Sequence, residues 1–208
     1  IRDLADTVDS FYRVLGSRHW VFTGALSVER IKRVVEEHGQ DPVAAEKALI
    51  AIQSEDLEFW VRRLANRRGM RERSHLLEVA LEDYRAGRFT GMIHVLISVM
   101  DGYVNDVTRQ DERRRGLHAQ SGEDMEAWDS VVSHADGLAR IHEEAFKSPF
   151  YNTVTDEVTE LYRNGIVHGT VVNFGNSVVA AKAWNYLFAV ADWAEAREKA
   201  AIEPEPRP

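Results

Sequence analysis

Apolar residues recur along this chain at spacings of three and four, the period of an α-helix. The clearest case is 90–108, where Met92, Val95, Leu96, Val99, Met100, Tyr103 and Val107 make one apolar face. The other side carries His94, Ser98, Asp101 and Asn105, which at about 100° per residue stay within a narrow polar stripe. The segment 176–199 is apolar over most of its circumference, through Val178, Val179, Trp184, Tyr186, Leu187, Phe188, Val190 and Trp193. Such a helix is buried either by the rest of its own chain or by a second subunit. Trp184 and Trp193 suit the core of a subunit interface, so a homodimer is expected.

The same pattern predicts helices over 3–15, 27–38, 42–53, 55–68, 72–87, 90–108, 124–146, 150–168 and 176–199, an all-α fold. Asp41-Pro42 reads as an N-cap followed by proline in the first turn. Ser121–Asp124 and Thr153–Asp156 resemble capping boxes with Asp in place of Glu. Trp20-Val21-Phe22 is a short apolar run with no partner run nearby, expected to anchor against the core. Arg67-Arg68-Gly69 is the best candidate boundary. It separates an N-terminal helical region, 1–69, from longer and more apolar helices over 70–199, with a disordered tail at 200–208.

Composition adds exclusions. With 44% hydrophobic residues in 208, the chain has enough apolar mass for a real core. No apolar run reaches the ~18 residues of a membrane span, and the first residues show no signal peptide. There is no cysteine, which removes disulfides, thiolate metal sites and cysteine nucleophiles and fits a cytoplasmic protein. His118, His134 and His142 show no metal-binding spacing, and phosphate loops and nucleophile elbows are absent, so neither metal nor cofactor is expected. The net charge of −8 disfavours a protein that coats nucleic acid nonspecifically. Any RNA contact must then be local. Arg62, Arg63, Arg67, Arg68, Arg71 and Arg73 form one cluster that could supply it, and Arg109, Arg113, Arg114 and Arg115 a second; both read equally as solvated helix ends.

The sharpest local signal is Arg163-Asn164-Gly165-Ile166-Val167-His168. On an ideal helix Asn164 and His168 share a face, and the long Arg163 side chain reaches the same side. Val154, Val158 and Leu161 would form the apolar face, with His168 at its edge beside a glycine that lets another backbone approach. Cleaving RNA without a metal needs a proton taken from a 2′-hydroxyl and a stabilised phosphorane. Histidine suits the first task and arginine the second, while asparagine can orient either group. The same residues also suit a capped helix end with a hydrogen-bonded core histidine. Asp101 and Asn105 fit a second polar shell or a solvated stripe.

Arg163 followed by four residues and His168 is similar to the R-x(4–6)-H signature of HEPN domains. The segment from Ala80 to Asp101-Gly102 looks like the paired-helix opening of bacterial HEPN-type proteins. The resemblance covers about 72–199. It implies a helical bundle that pairs with a second copy across a shared cleft. The implied activity is that of a metal-independent endoribonuclease of a toxin or anti-phage defence system, with His168, Arg163 and Asn164 catalytic. It equally allows a non-catalytic module that binds RNA, a nucleotide or a protein partner within a larger complex. One toxin subgroup carries a modifiable tyrosine two residues after the histidine; here that position is Thr170, which argues against that mode of control.

Overall fold

The computed structural model describes residues 2–108 and 152–202, together with Ala145. These residues form an all-α fold of seven α-helices: α1 (Arg2–Leu15), α2 (Val28–His38), α3 (Pro42–Ala65), α4 (Ser74–Arg85), α5 (Phe89–Thr108), α6 (Arg163–Val167) and α7 (Ser177–Ile202). The expected helix 124–146, the capping box at 121–124, the second arginine cluster and the histidines at 118, 134 and 142 lie outside the described residues, apart from Ala145. None of the described helices is long and apolar enough to cross a membrane.

Two expected boundaries change. The helices expected over 42–53 and 55–68 are one, α3, because nothing between them stops a helix. Gln53 is buried and donates to Ala181 O at 2.8 Å, and the Ser54 hydroxyl meets that of Tyr84 at 2.9 Å, so neither competes for its own backbone. The start of α3 is as expected, with Asp41 Oδ1 accepting from Val43 N and Ala44 N. The helix expected over 150–168 is not formed: residues 152–162 are irregular or extended, and only 163–167 are helical. Val154 and Val171 pair in an isolated parallel bridge. Val154 N donates to Thr170 O, Val172 N to Val154 O and Val158 N to Asn173 O. Valines four apart line one face of a helix, but also one face of an extended chain, and their β-branching favours the latter.

Helix α7 is the hub. Every residue from Val179 to Ala191 is buried, as are Trp184 and Trp193. The chain itself therefore covers the tryptophans expected at a subunit interface. The larger apolar cluster draws on the second half of α3 (Leu57, Val61, Leu64), on α4, α5 and α7, and on Ile166 of α6. The smaller joins α1, α2 and the first half of α3 to Ala181. Trp20, Val21 and Phe22 are fully buried. With no strand to pair with among the described residues, Val21 is satisfied by a side chain: Asn185 Oδ1 accepts from its N–H and Asn185 Nδ2 donates to its carbonyl, both at 2.9 Å.

One residue of that buried run is charged. Lys182, at 0% exposure, lies 2.7 Å from Glu46 Oε1 and donates to Thr159 O. Glu46, itself 3% exposed, also accepts from Arg18 and from Trp20 Nε1. Burial alone would raise the Glu46 pKa, but bonds from Arg18, Lys182 and Trp20 more than offset this and hold it below the usual carboxylate value. Burial works against the Lys182 charge, with Glu46 pulling the other way.

Removing one partner leaves the other charge uncompensated in the core. Glu46→Gln is expected to cost roughly 3–5 kcal/mol of unfolding free energy in urea at neutral pH. The double change Glu46→Leu with Lys182→Met should recover most of that loss. Because the folded pKa of Glu46 is depressed, its contribution is complete above the ordinary carboxylate range and is lost as pH falls through the folded value. Equal stability of the parent and Glu46→Gln would show that the pair carries no such weight.

Candidate functional site

Helix α6 is a single turn held between two longer helices. The preceding segment is tied to α7 by Lys182 on Thr159 O and by Asn176, whose Nδ2 donates to Val158 O at 2.8 Å. Asn176 Oδ1 also accepts from Val178 N and Val179 N, capping α7. Beyond α6 the chain doubles back. His168 N donates to Asn164 O, and Thr170 N and Val171 N both donate to Gly165 O, each at 2.9 Å. A Cβ on Gly165 would stand 2.6 Å from Val171 Cγ2, so only glycine lets the returning segment lie this close.

Arg163, at the start of α6, is 7% exposed. Its Nη2 donates to Asp101 Oδ2 on α5 in a close ion pair, and its Nη1 donates to Asn164 Oδ1 at 2.9 Å. The Tyr186 hydroxyl, on α7, feels both charges. Burial pushes its pKa well up, the negative charge of Asp101 adds to that, and Arg163 opposes it. Tyr186 is therefore a neutral phenol beside an ion pair that links α5 to α6. The other Asp101 oxygen, Oδ1, is buried without a hydrogen-bond partner among the described residues.

The polar stripe on α5 thus changes character along its length. His94 and Ser98 are exposed, and His94 packs edge-on to Phe174 at 5.4 Å. One turn on, Asp101 is half-buried under Arg163. The adjacent Gly102 makes room for a second arginine: a Cβ there would lie 2.9 Å from Arg73 Nη2, which pairs with Asp106 at 2.7 Å. The Asp-Gly step therefore accommodates two guanidinium groups, one on each residue.

Arg163, Asn164 and Asp101 come together through side-chain bonds, whereas His168 is joined to Asn164 through its backbone N–H. It follows the last residue of α6, on the opposite end from Arg163, with its side chain exposed. The Arg163 guanidinium, expected to reach a phosphate, instead faces inward to Asp101. Asn164 Oδ1 accepts from Arg163, so Asn164 helps to orient the arginine. The side chain of Asn105 lies outside those described. Among the described residues no group of acidic and histidine side chains could hold a metal.

Tyr186 was hidden from the sequence reading because it sits in an apolar run where a buried tyrosine looks like any other core residue. Lys182 did give a signal: a single lysine inside a helix that is apolar all round must be buried and must find an acid. The chain matches no family model, no curated protein and no solved structure.

The tight approach at Gly165 gives a direct check on this geometry. Gly165→Ala is expected to destabilise the protein by about 1–3 kcal/mol through overpacking against Val171. Adding Val171→Ala should recover part of the loss in chemical denaturation. Full stability in the single variant would mean that the two segments are not in contact.

Proposed function

We propose that this chain cleaves RNA without a metal, with His168 as the proton-transfer group. The observation that carries the reading is the presentation of His168. It is an exposed imidazole at the end of a single helical turn that is clamped from behind by the Arg163–Asp101 pair. An imidazole titrates near neutral pH and can take the proton of a 2′-hydroxyl, whose oxygen then attacks the adjacent phosphate. The bond to the 5′-oxygen breaks, that oxygen takes up a proton, and a 2′,3′-cyclic phosphate remains. Arg163 is a positioning residue in this scheme: it fixes α6 on α5, and Asn164 and Asp101 fix its guanidinium. A second His168, from another copy, would protonate the leaving oxygen, in keeping with the paired cleft that the HEPN resemblance implies. The cellular role in this reading is the one that the resemblance implies, a toxin or anti-phage defence component working with a protein partner.

One observation favours a second reading. Arg163 is buried and neutralised within its own chain, which suits a structural lock in a non-catalytic module that binds RNA, a nucleotide or a protein partner.

Incubation with RNA separates the two. On the first reading, purified protein cleaves in EDTA, the products end in a cyclic phosphate, and His168→Ala slows cleavage by ~10²–10⁴ with an unchanged melting temperature. Asp101→Ala and Arg163→Lys should lower the rate and the melting temperature together, since each disturbs a buried ion pair. The active species should scatter light at twice the 23.7 kDa chain mass. Cleavage that survives His168→Ala, or that EDTA abolishes, refutes the mechanism. No cleavage at all by either parent or variant leaves the non-catalytic reading in possession.

A further inference from the structure

The C-terminal half of α3 carries a feature that neither the core nor the α6 site uses. Phe59 is 55% exposed, and its neighbour Trp60 is half-buried. Arg63 is four residues from the first and three from the second, so on the helix it falls between their two rings. Its guanidinium stands 5.6 Å from the Phe59 centroid and 5.5 Å from that of Trp60. The rings meet edge to face at 5.1 Å, which holds the group in one arrangement.

The charge around it is equally particular. Between Phe59 and Arg73 the sequence has six arginines and one glutamate, in a chain whose net charge is −8. Three of these arginines are engaged: Arg62 with Glu58, Arg67 with Asp192 and Glu195, and Arg73 with Asp106. Arg63, Arg68 and Arg71 are exposed and have no carboxylate partner among the described residues. Arg63 lies against the Phe59–Trp60 pair, and Arg68 and Arg71 follow in the segment after α3, so basic residues without an acid partner and an exposed ring share one stretch of the chain.

We propose that the end of α3 and the turn after it form a docking surface for single-stranded RNA. Bases stack on Phe59 and on the Trp60–Arg63 platform, and Arg68 and Arg71 meet the phosphates. Stacking on aromatic rings requires unpaired bases, because the faces of bases in a duplex are covered by their neighbours. The surface therefore selects single strands through its rings and a polyanion through its arginines. The choice of RNA over DNA rests on the activity proposed above; the stacking and the charge do not.

The test is a binding titration by fluorescence anisotropy, with the full chain carrying His168→Ala so that nothing is cleaved. The probes are a labelled single-stranded RNA, the DNA of the same sequence and the RNA duplex, each at several salt concentrations. Phe59→Ala is expected to weaken single-stranded RNA binding by at least about fivefold while leaving the salt dependence unchanged. Replacing Arg68 and Arg71 together by alanine should flatten the slope of log K against log salt by roughly 1.4, since each phosphate contact on a single strand contributes ~0.7. Should Phe59→Ala melt early, Phe59→Leu keeps the apolar volume and removes the ring, and the same weakening is expected. Unchanged RNA affinity in both the ring and the arginine variants overturns the proposal, as does duplex RNA bound as tightly as the single strand. DNA held as tightly as RNA overturns the assignment to RNA. A change in light-scattering mass on Phe59→Ala, with RNA binding intact, would assign the patch to protein contact instead. Failure of the cleavage mechanism is read separately, from the activity of His168→Ala against its parent.

Discussion

A lysine without solvent exposure needs a counter-charge, and much of this fold is arranged around supplying one to Lys182. Glu46 meets it from α3. Arg18 and Trp20 then satisfy Glu46, which brings the turn after α1 onto α3. Thr159 O takes another Lys182 proton, which fixes the extended segment ahead of α6. Asn185, three residues further along the same helix, holds the backbone of Val21. Apolar packing alone would let these segments slide along a helix that is hydrophobic on every side. The polar groups within α7 set which segment goes where, because each misplaced partner would leave a buried charge or amide unsatisfied.

That arrangement reaches the candidate site through the 152–162 segment. Its carbonyls are taken by Lys182, Asn173 and Asn176, so it enters α6 from a fixed direction. Arg163 then lands over Asp101, with Tyr186 alongside from α7. The site thus stands on α5 and α7, although the turn that presents His168 is only five residues long. A short turn held by such a frame can place an exposed side chain reproducibly, which a free loop of the same length could not.

The sequence made the helices legible where the periodicity was long, as in α5 and α7, and where a cap marked the start, as at Asp41. It misled at 150–168, since Val154, Val158 and Leu161 fit a helical period while the two valines fit an extended chain as well. Only the tertiary partners at 170–176 decide between the two. It also divided α3 at Ser54, whose hydroxyl turns out to be occupied by Tyr84. The candidate site was legible as a set of residues but not as an arrangement. Arg163, Asn164 and His168 could be named from their spacing, and Asp101 from its place on a polar stripe. That Arg163 faces Asp101 rather than solvent depends on a contact across 62 positions of sequence, which no local pattern encodes.

Counting arginines also misstates what this surface offers a ligand. Arg18, Arg67, Arg73 and Arg163 are each set against an acid within the fold, so their charge acts internally. In a chain with an excess of carboxylates, the positive charge that an anion meets is what remains after this pairing. Among the described residues, Arg63, Arg68 and Arg71 are groups of this kind, exposed at the end of α3 and in the segment after it. A polyanion approaching such groups meets local attraction on a chain whose net charge otherwise repels it. The overall negative charge and a local RNA contact are therefore compatible: the first restricts the orientation in which the second can form.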